Sequence, residues 1–499
     1  MDENVIDPSG CVQTEAMEPS EILPGLEIES IVQEILSQRC IPGATYRLQF
    51  NEQFTFRDAY EIVPYLRELG VTHCYTSPLF VARQGSTHGY DVVNYSQLNP
   101  ALGTEADFEA LVERLQEQGM GLIIDVVPNH MGIGPNNAWW MDVLENGPTS
   151  AYARYFDINW RPAKRELENK VLLPVLEDHY GKVLEAGKLR LGYEQGKFSL
   201  YYYETRLPVA MSTCLKVVQQ WCGFLSEMLP AEHDAVMEME SLVRTLRHLP
   251  SYTDFEPQQI EERQREQVII QRRLNALCST YPEMQHALDA MLGLYNGVPG
   301  DSESFDLLDA LIVQQPYRLA YWRVAADEIN YRRFFDINDM AAVRIEFPEV
   351  FDQTHEFLFR LLGEGRVSGV RVDHPDGLYN PQEYFQRLQE GYIRAKAERQ
   401  PASHEVQNAV VGYMAAQLRR IDQMQASWPL YVVAEKILSE IEPLPADWAV
   451  YGTTGYDFMT AINGIYVNRD NVHAFDQLYS DFIGHSFNYR ELVFHHKCN

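Results

Sequence analysis

Two short segments of this sequence each end an apolar run on a carboxylic acid: Gly369-Val370-Arg371-Val372-Asp373-His374 and Val432-Val433-Ala434-Glu435-Lys436. β-branched runs of this length read as buried strands, with the acid where the strand opens into a loop. In a parallel-stranded barrel that end carries the chemistry. Two carboxylates delivered from two strands suit retaining cleavage of a glycosidic bond, with the carboxyl groups about 5–5.5 Å apart. Asp373 is the candidate nucleophile. Arg371 precedes it by two residues and so shares its face of the strand. A cation there is expected to keep Asp373 ionised at neutral pH. The plainer alternative is a structural Arg–Asp ion pair. Glu435 is the candidate acid and later base. That task requires it to hold a proton at neutral pH, beside an apolar wall such as Val432-Val433-Ala434 or a neighbouring carboxylate. The plainer alternative is a strand-end glutamate bridged to Lys436.

A third strand-like run, Leu122-Ile123-Ile124-Asp125-Val126-Val127-Pro128-Asn129-His130, brings three more polar groups. Asp125 and Asn129 read as braces of the loop, and His130 as a donor to a sugar hydroxyl. A lone histidine is more often structural. In the loop Ser86-Thr87-His88-Gly89-Tyr90-Asp91, Gly89 permits a tight turn and Tyr90 offers a ring face to a sugar. An ordinary glycine turn with a packed tyrosine is the alternative. No Ser-His-Asp elbow, GxGxxG fingerprint or Walker loop is present, and no Cys or His spacing suits a metal. No cofactor or metal is expected.

These residues need elements to carry them. The spacing predicts a strand over 44–50, a helix over 56–69, a strand over 71–77, a helix over 104–118 opened by Thr104, and a strand over 122–127. Repeated strand–helix units imply an α/β fold with a parallel sheet, and at this length a (β/α)8 TIM-type barrel. Strands resume over 367–372 and 430–434, with a weaker one over 448–452. That makes six units where a closed barrel needs eight, so the barrel reads as incomplete. The divisions are an acidic mobile tail and lead-in helix (1–39) and the first three barrel strands (40–130). A loop-rich inserted lobe (131–207) and a helical insertion (208–330) follow. The barrel continues over 331–499. The charged run Glu261-Glu262-Arg263-Gln264-Arg265-Glu266 reads as a solvated helix face rather than a partner-binding arm.

Composition bounds the function. The 499 residues carry a formal net charge of -30. So acidic a chain repels phosphate backbones and anionic membranes, whereas neutral sugars remain compatible. Seven scattered cysteines (11, 40, 74, 214, 222, 278 and 498) suit reduced thiols in a cytoplasmic protein. No stretch reads as a signal peptide or a membrane span.

Several segments carry a more specific likeness. They are Pro42-Gly43-Ala44-Thr45-Tyr46-Arg47-Leu48-Gln49-Phe50, Ser77-Pro78-Leu79, the 86–91 loop, the 125–130 segment, Ile329-Asn330-Tyr331-Arg332-Arg333-Phe334-Phe335-Asp336 and residues 369–377. Together they resemble the maltooligosyltrehalose synthases of the α-amylase family, over about residues 41–494. The resemblance implies an intramolecular transglucosylase that turns the reducing-end α-1,4 linkage of a maltooligosaccharide into an α,α-1,1 linkage. It aligns Asp373 with the nucleophile and Glu435 with the acid/base. Arg371, His130, Tyr90 and Asp91 align with substrate-holding positions, and His88 and His374 stand beside them. The family also uses a third carboxylate, an aspartate after a histidine on a later strand, and no such pair follows Asp457. The family's chains continue further. The expectation is therefore the N-terminal part of such a chain, inactive or nearly so by itself, with a separately encoded C-terminal fragment as a partner. The alternatives are an α-glucan hydrolase of the same broad family and a non-catalytic glucan-binding or pairing fragment.

Overall fold

The computed structural model describes residues 19–418, 428–439 and 442–498. Five strands form one parallel sheet: Thr45–Leu48, His73–Thr76, Gly121–Val126, Gly369–Val372 and Tyr431–Ala434, side by side in chain order. Such an order arises when each strand is followed by a crossover that returns the chain to the next position. Phe56–Glu68 makes the first crossover and Glu105–Glu117 the second. The second opens on a reciprocal cap, in which the Asp107 amide donates to Thr104 Oγ1 (3.2 Å) and the Thr104 amide to Asp107 (2.9 Å). Its buried residues Phe108, Leu111, Val112 and Leu115 follow helical spacing, so one stripe faces the sheet. Burial of each stabilises by about 1.5–3 kcal/mol. Pro348–Gly363 enters the fourth strand, and Pro381–Ala397 and His404–Leu418 leave it.

The fold is thus α/β with a parallel sheet, as expected, but among the described residues the sheet has five strands, where six were expected. Residues 448–452 do not form the sixth. Trp448 donates its amide to Pro445 (3.2 Å) and Val450 to Trp448 (2.8 Å), so the backbone curls. Only the end of the segment lies beside the fifth strand, through the Tyr451 amide on the Val432 carbonyl (2.8 Å) and a parallel bridge between Ala434 and Thr453.

The insertion also differs from its expectation. Residues 131–207 are not mainly loops. They contain the antiparallel sheet Leu189–Glu194, Lys197–Tyr202 and Thr205–Pro208. The strand Val171–Leu176 pairs in parallel with Tyr317–Tyr321, beyond the helices of 208–330. That pairing ties the lobe to the last part of the helical insertion. Next, Arg333–Phe334 and Ile337–Ala342 form a hairpin whose second strand pairs with His130–Gly132. This hairpin returns the chain to the end of the third sheet strand. In the charged run, Arg263 is buried and donates to Ser251 O (2.7 Å) and Thr149 Oγ1 (2.7 Å). It is an internal tie and not part of a solvated face.

Helix Pro19–Ser37 takes up about half of the division read as acidic tail and lead-in helix (1–39). Ile31, Val32 and Ile35 are buried, and the helix lies against Pro381–Ala397 and His404–Leu418. The rest of the expected tail, residues 1–18, lies outside the described residues. At the other end, Tyr456–Ile465, Val472–Ile483 and Tyr489–Cys498 are helices without a buried residue. Phe458, Ile465, Tyr466, Phe475, Phe482 and Phe494 are exposed there.

Candidate active site

Parallel register sets the site. Arg371 lies level with Asp125 on one neighbouring strand and Val433 on the other. The ladder runs one step past the strand ends: the Asp373 amide donates to Val126 O (2.8 Å) and the Glu435 amide to Val372 O (2.9 Å). Both acids are therefore fixed at the carboxyl end of the sheet, where parallel α/β folds bind ligands.

One guanidinium gathers three carboxylates. Arg371 Nη1 donates to Asp125 Oδ1 (2.8 Å) and to Asp373 Oδ1 (2.7 Å), and Nη2 lies 3.6 Å from Glu435 Oε1. Contact with one small cation keeps the Asp373 and Glu435 carboxyls within about 10 Å of each other, near enough for a pair of carboxylates to act on one glycosidic bond, retaining at about 5–5.5 Å or inverting at about 6.5–9.5 Å. The His374 amide donates to Glu435 Oε2 (3.0 Å). Asp125 also accepts from Tyr90 (2.6 Å) and Tyr75 (3.1 Å), and Arg47 donates to Tyr90 Oη (3.2 Å). Lys436 pairs with Asp376 (2.9 Å) and Glu442 (2.7 Å) and leaves Glu435 to the cluster.

Burial governs the charges. It pushes the Asp373 carboxyl up to about 7, with Arg371 opposing and Asp125 and Glu435 adding to the rise. Arg371 favours the ionised form of Asp373, as expected, but burial opposes it, and one cation is shared among three acids in a dry site. Burial likewise raises Asp125 against the pull of Arg371. It works against the charge on Arg371 as well, but the neighbouring acids more than offset it. Burial pushes His130 down to about 3, so its ring is neutral at neutral pH.

A cavity of about 790 Å³ opens over this cluster, with Arg371, Asp373, His374 and Glu435 on its floor and Tyr75, Tyr90, His88, Phe334 and Phe335 among its walls. Grooves of similar size occur at residues 349–399 and 187–297. What singles out this one is buried polar atoms without partners on its floor: Asp373 Oδ2 and Arg371 Nε. Such atoms ask for an explanation, and a ligand supplies one. Among the described residues no group of three or more His, Cys, Asp or Glu side chains is arranged to hold a metal ion.

The other expected residues take different places. Asp91 is buried outside the cavity wall and accepts from the Ser86 hydroxyl (2.5 Å), so it shapes the loop that presents His88 and Tyr90. His130 is fully buried under the ring of Phe334, at 4.1 Å between centroids, and does not reach the cavity surface. Asn129 Nδ2 meets His130 Nδ1 (3.3 Å), and Asn129 Oδ1 accepts from Arg332 (3.2 Å). Sequence reasoning missed Arg47, Tyr75, Phe334 and Phe335 as wall residues. Arg47 and Tyr75 had a findable signal, since each lies on a strand of the same sheet as Arg371.

Comparison with known proteins accords with this geometry. The profile of the α-amylase catalytic domain matches residues 59–262. A putative maltooligosyl trehalose synthase of Mycobacterium tuberculosis is 30% identical over 435 residues, 85% of this chain and 38% of that protein. The structure of maltooligosyltrehalose synthase from Arthrobacter ramosus superposes with a TM-score of 0.58 at 30% identity, covering 91% of this chain and 42% of that one. A glycosyltrehalose synthase from DSM5389 gives 0.59 at 30% identity, covering 90% and 45%. Among the described residues no helix is long and apolar enough to cross a membrane. By sequence and by fold this chain is similar to maltooligosyl trehalose synthases, and it spans less than half of their length.

Proposed function

We propose that this site converts the reducing-end α-1,4 linkage of a maltooligosaccharide into an α,α-1,1 linkage, as a cytoplasmic isomerase of trehalose-forming metabolism. The observation that carries the reading is the carboxylate pair on Arg371, with Asp373 Oδ2 unpartnered beside Glu435. In the first step an Asp373 oxygen bonds to the anomeric carbon of the penultimate glucose, the bond to O4 of the terminal glucose breaks, and Glu435 gives that oxygen a proton. In the second, the anomeric hydroxyl of the released glucose attacks the same carbon, Glu435 takes its proton, and the Asp373 carboxylate leaves. Two inversions restore the α configuration. Water competes in the second step, so the freed glucose must be held and the cavity kept dry. Tyr90, His88, Arg371 and His374 are the proposed sugar-holding groups. Asp125, Asn129 and the buried His130 and Asp91 brace them.

The test is incubation of the 499-residue chain with maltopentaose, reading reducing ends and chain length together. Loss of reducing ends at constant chain length supports the proposal, and Asp373→Asn abolishes it. Release of glucose and maltotetraose alone favours an α-glucan hydrolase. A further reading is a glucan-binding chain that acts only with a polypeptide partner. The apolar surface of residues 456–498 favours it, and restoration of turnover by a supplied partner would establish it.

A further inference from the structure

The groove at residues 187–297, about 1000 Å³ in volume, shares no lining residue with the cavity over Arg371. It runs between the edge strand Leu189–Glu194 of the lobe sheet and helix Pro282–Tyr295. Its two walls are fixed to each other. Asn296, at the end of the helix, accepts from the Leu191 amide (2.7 Å) and donates to the Leu191 carbonyl (3.0 Å).

Tyr201 and Tyr203 line this groove. Tyr201 stands opposite Arg190, and its ring reaches diagonally across Gly192, where an added Cβ would lie 2.7 Å from Cε2. A side chain at 192 would displace the ring, so the glycine lets it lie down on the sheet. Tyr203 is 61% exposed, with φ +48°. Bulky residues rarely take that conformation, and so exposed a ring gains little from burial. It is nonetheless held in place. Tyr202 supports it edge-on at 4.8 Å between centroids, and its hydroxyl donates to Glu177 (3.2 Å), itself paired with Lys188. Rings held this way offer flat apolar surfaces to the C–H faces of sugars. Arg190 and Asp289 bring a donor and an acceptor for hydroxyls to the same groove. A net charge of -30 disfavours polyanions as the occupant, and a neutral polysaccharide fits.

We propose that this groove is a second glucan-binding site, which grips the interior of a long α-1,4-glucan while the catalytic cavity takes the chain end. That the ligand is an α-glucan rests on the transglucosylase reading above. Anchorage raises the effective concentration of chain ends at the cavity, so its benefit is confined to substrates long enough to reach both.

The test is native electrophoresis through gels containing amylopectin, which reads binding as retardation. The intact chain is compared with Tyr201→Ala combined with Tyr203→Ala, and with Tyr90→Ala in the catalytic cavity. The lobe variant is expected to bind amylopectin about fivefold or more weakly, the scale of two lost ring contacts. Tyr90→Ala is expected to keep most of the retardation, and Tyr201→Phe combined with Tyr203→Phe, which keeps both rings, to keep it as well. Gels containing dextran, an α-1,6-glucan, are expected to retard none of these proteins. Circular dichroism and thermal melting check folding, and Tyr203→Ala alone, at an exposed ring, stands in if the double variant does not fold. Calorimetry with maltopentaose on the Asp373→Asn chain, with and without the lobe substitutions, reads the cavity separately and is expected to give one affinity. Amylopectin retardation that survives loss of the lobe rings, equal retardation by dextran, or no retardation of the intact chain overturns the lobe site and leaves the cavity reading untouched. Absence of maltopentaose binding by the Asp373→Asn chain, with amylopectin retardation that depends on Tyr201 and Tyr203, sinks the cavity reading and leaves the lobe site standing.

Discussion

Arg371 and Asp373 lie two residues apart on one strand, and a single nitrogen of the guanidinium, Nη1, holds both Asp373 (2.7 Å) and Asp125 on the neighbouring strand (2.8 Å). Removing that cation leaves buried acids facing each other. Arg371→Met is expected to cost about 3–5 kcal/mol at pH 8, the range for an orphaned buried charge. The sign with pH follows from linkage. Asp373 and Asp125 are raised above their unfolded values, so the folded state binds the extra protons and stability falls as pH rises. The deficit in melting temperature should be larger at pH 8 than at pH 5. An equal deficit at both would count against the argument.

The pH dependence of activity follows from the same burial. Asp373 must be ionised to attack, and its pKa is about 7. Measured as kcat/KM on maltopentaose, activity should fall about tenfold per pH unit below that value. Asp125→Asn removes a like charge beside Asp373, so the acid limb should move to lower pH. A wild-type limb in the ordinary carboxylate range near pH 4 would show that the nucleophile is not dry.

Gly89 places Tyr90. Its φ is +81°, and an added Cβ would lie 2.8 Å from the Pro78 carbonyl oxygen. Gly89→Ala is expected to lower stability by about 1–3 kcal/mol through strain. Displacement of Tyr90 should also cut activity about tenfold or more, since misplacement of holding groups is costly. Thermal melting and turnover, measured together, separate the two effects.

The helices over 456–498 expose Phe458, Phe475, Phe482 and Phe494 in one region of the chain. Apolar surface on that scale promotes association. Sedimentation should show concentration-dependent self-association. Phe475→Ser combined with Phe482→Ser should reduce it without lowering the melting temperature, because neither ring is buried.

Helix Pro19–Ser37 is held by its last turns. Ile35 has no solvent exposure and lies on the face turned toward the 381–418 helices. Ile35→Ala is expected to cost about 2–5 kcal/mol in denaturant unfolding, as a buried large-to-small change. A cost below about 1 kcal/mol would mean that the helix is only loosely attached.

The strands that deliver Arg371, Asp373 and Glu435 were legible because each is a buried parallel strand and so reads as a continuous β-branched run. Three features were not legible, each for a physical reason. Residues 448–452 have strand composition, but local turns take the Trp448 and Val450 amides. The strands of the inserted lobe depend on partners far away, such as Val171–Leu176 on Tyr317–Tyr321, and periodicity does not report such pairings. The walls at Phe334 and Phe335 depend on a hairpin that crosses back to His130–Gly132. The full environment of Asp373 was not legible either, because a spacing of two residues reveals Arg371 but neither the burial of the carboxyl nor the two further acids that share the cation.

The central pairing of the sheet has a kinetic consequence. Asp125 and Arg371 are 246 residues apart, yet their strands are neighbours. Joining them directly closes a very long loop before any contact repays the entropy. If the intervening segment folds first, through its own sheets and helices, the ends to be joined are already near. The catalytic cluster is then the last part of the molecule to assemble. Refolding experiments should find the insertion's tryptophans, such as Trp221, buried before maltopentaose binding returns.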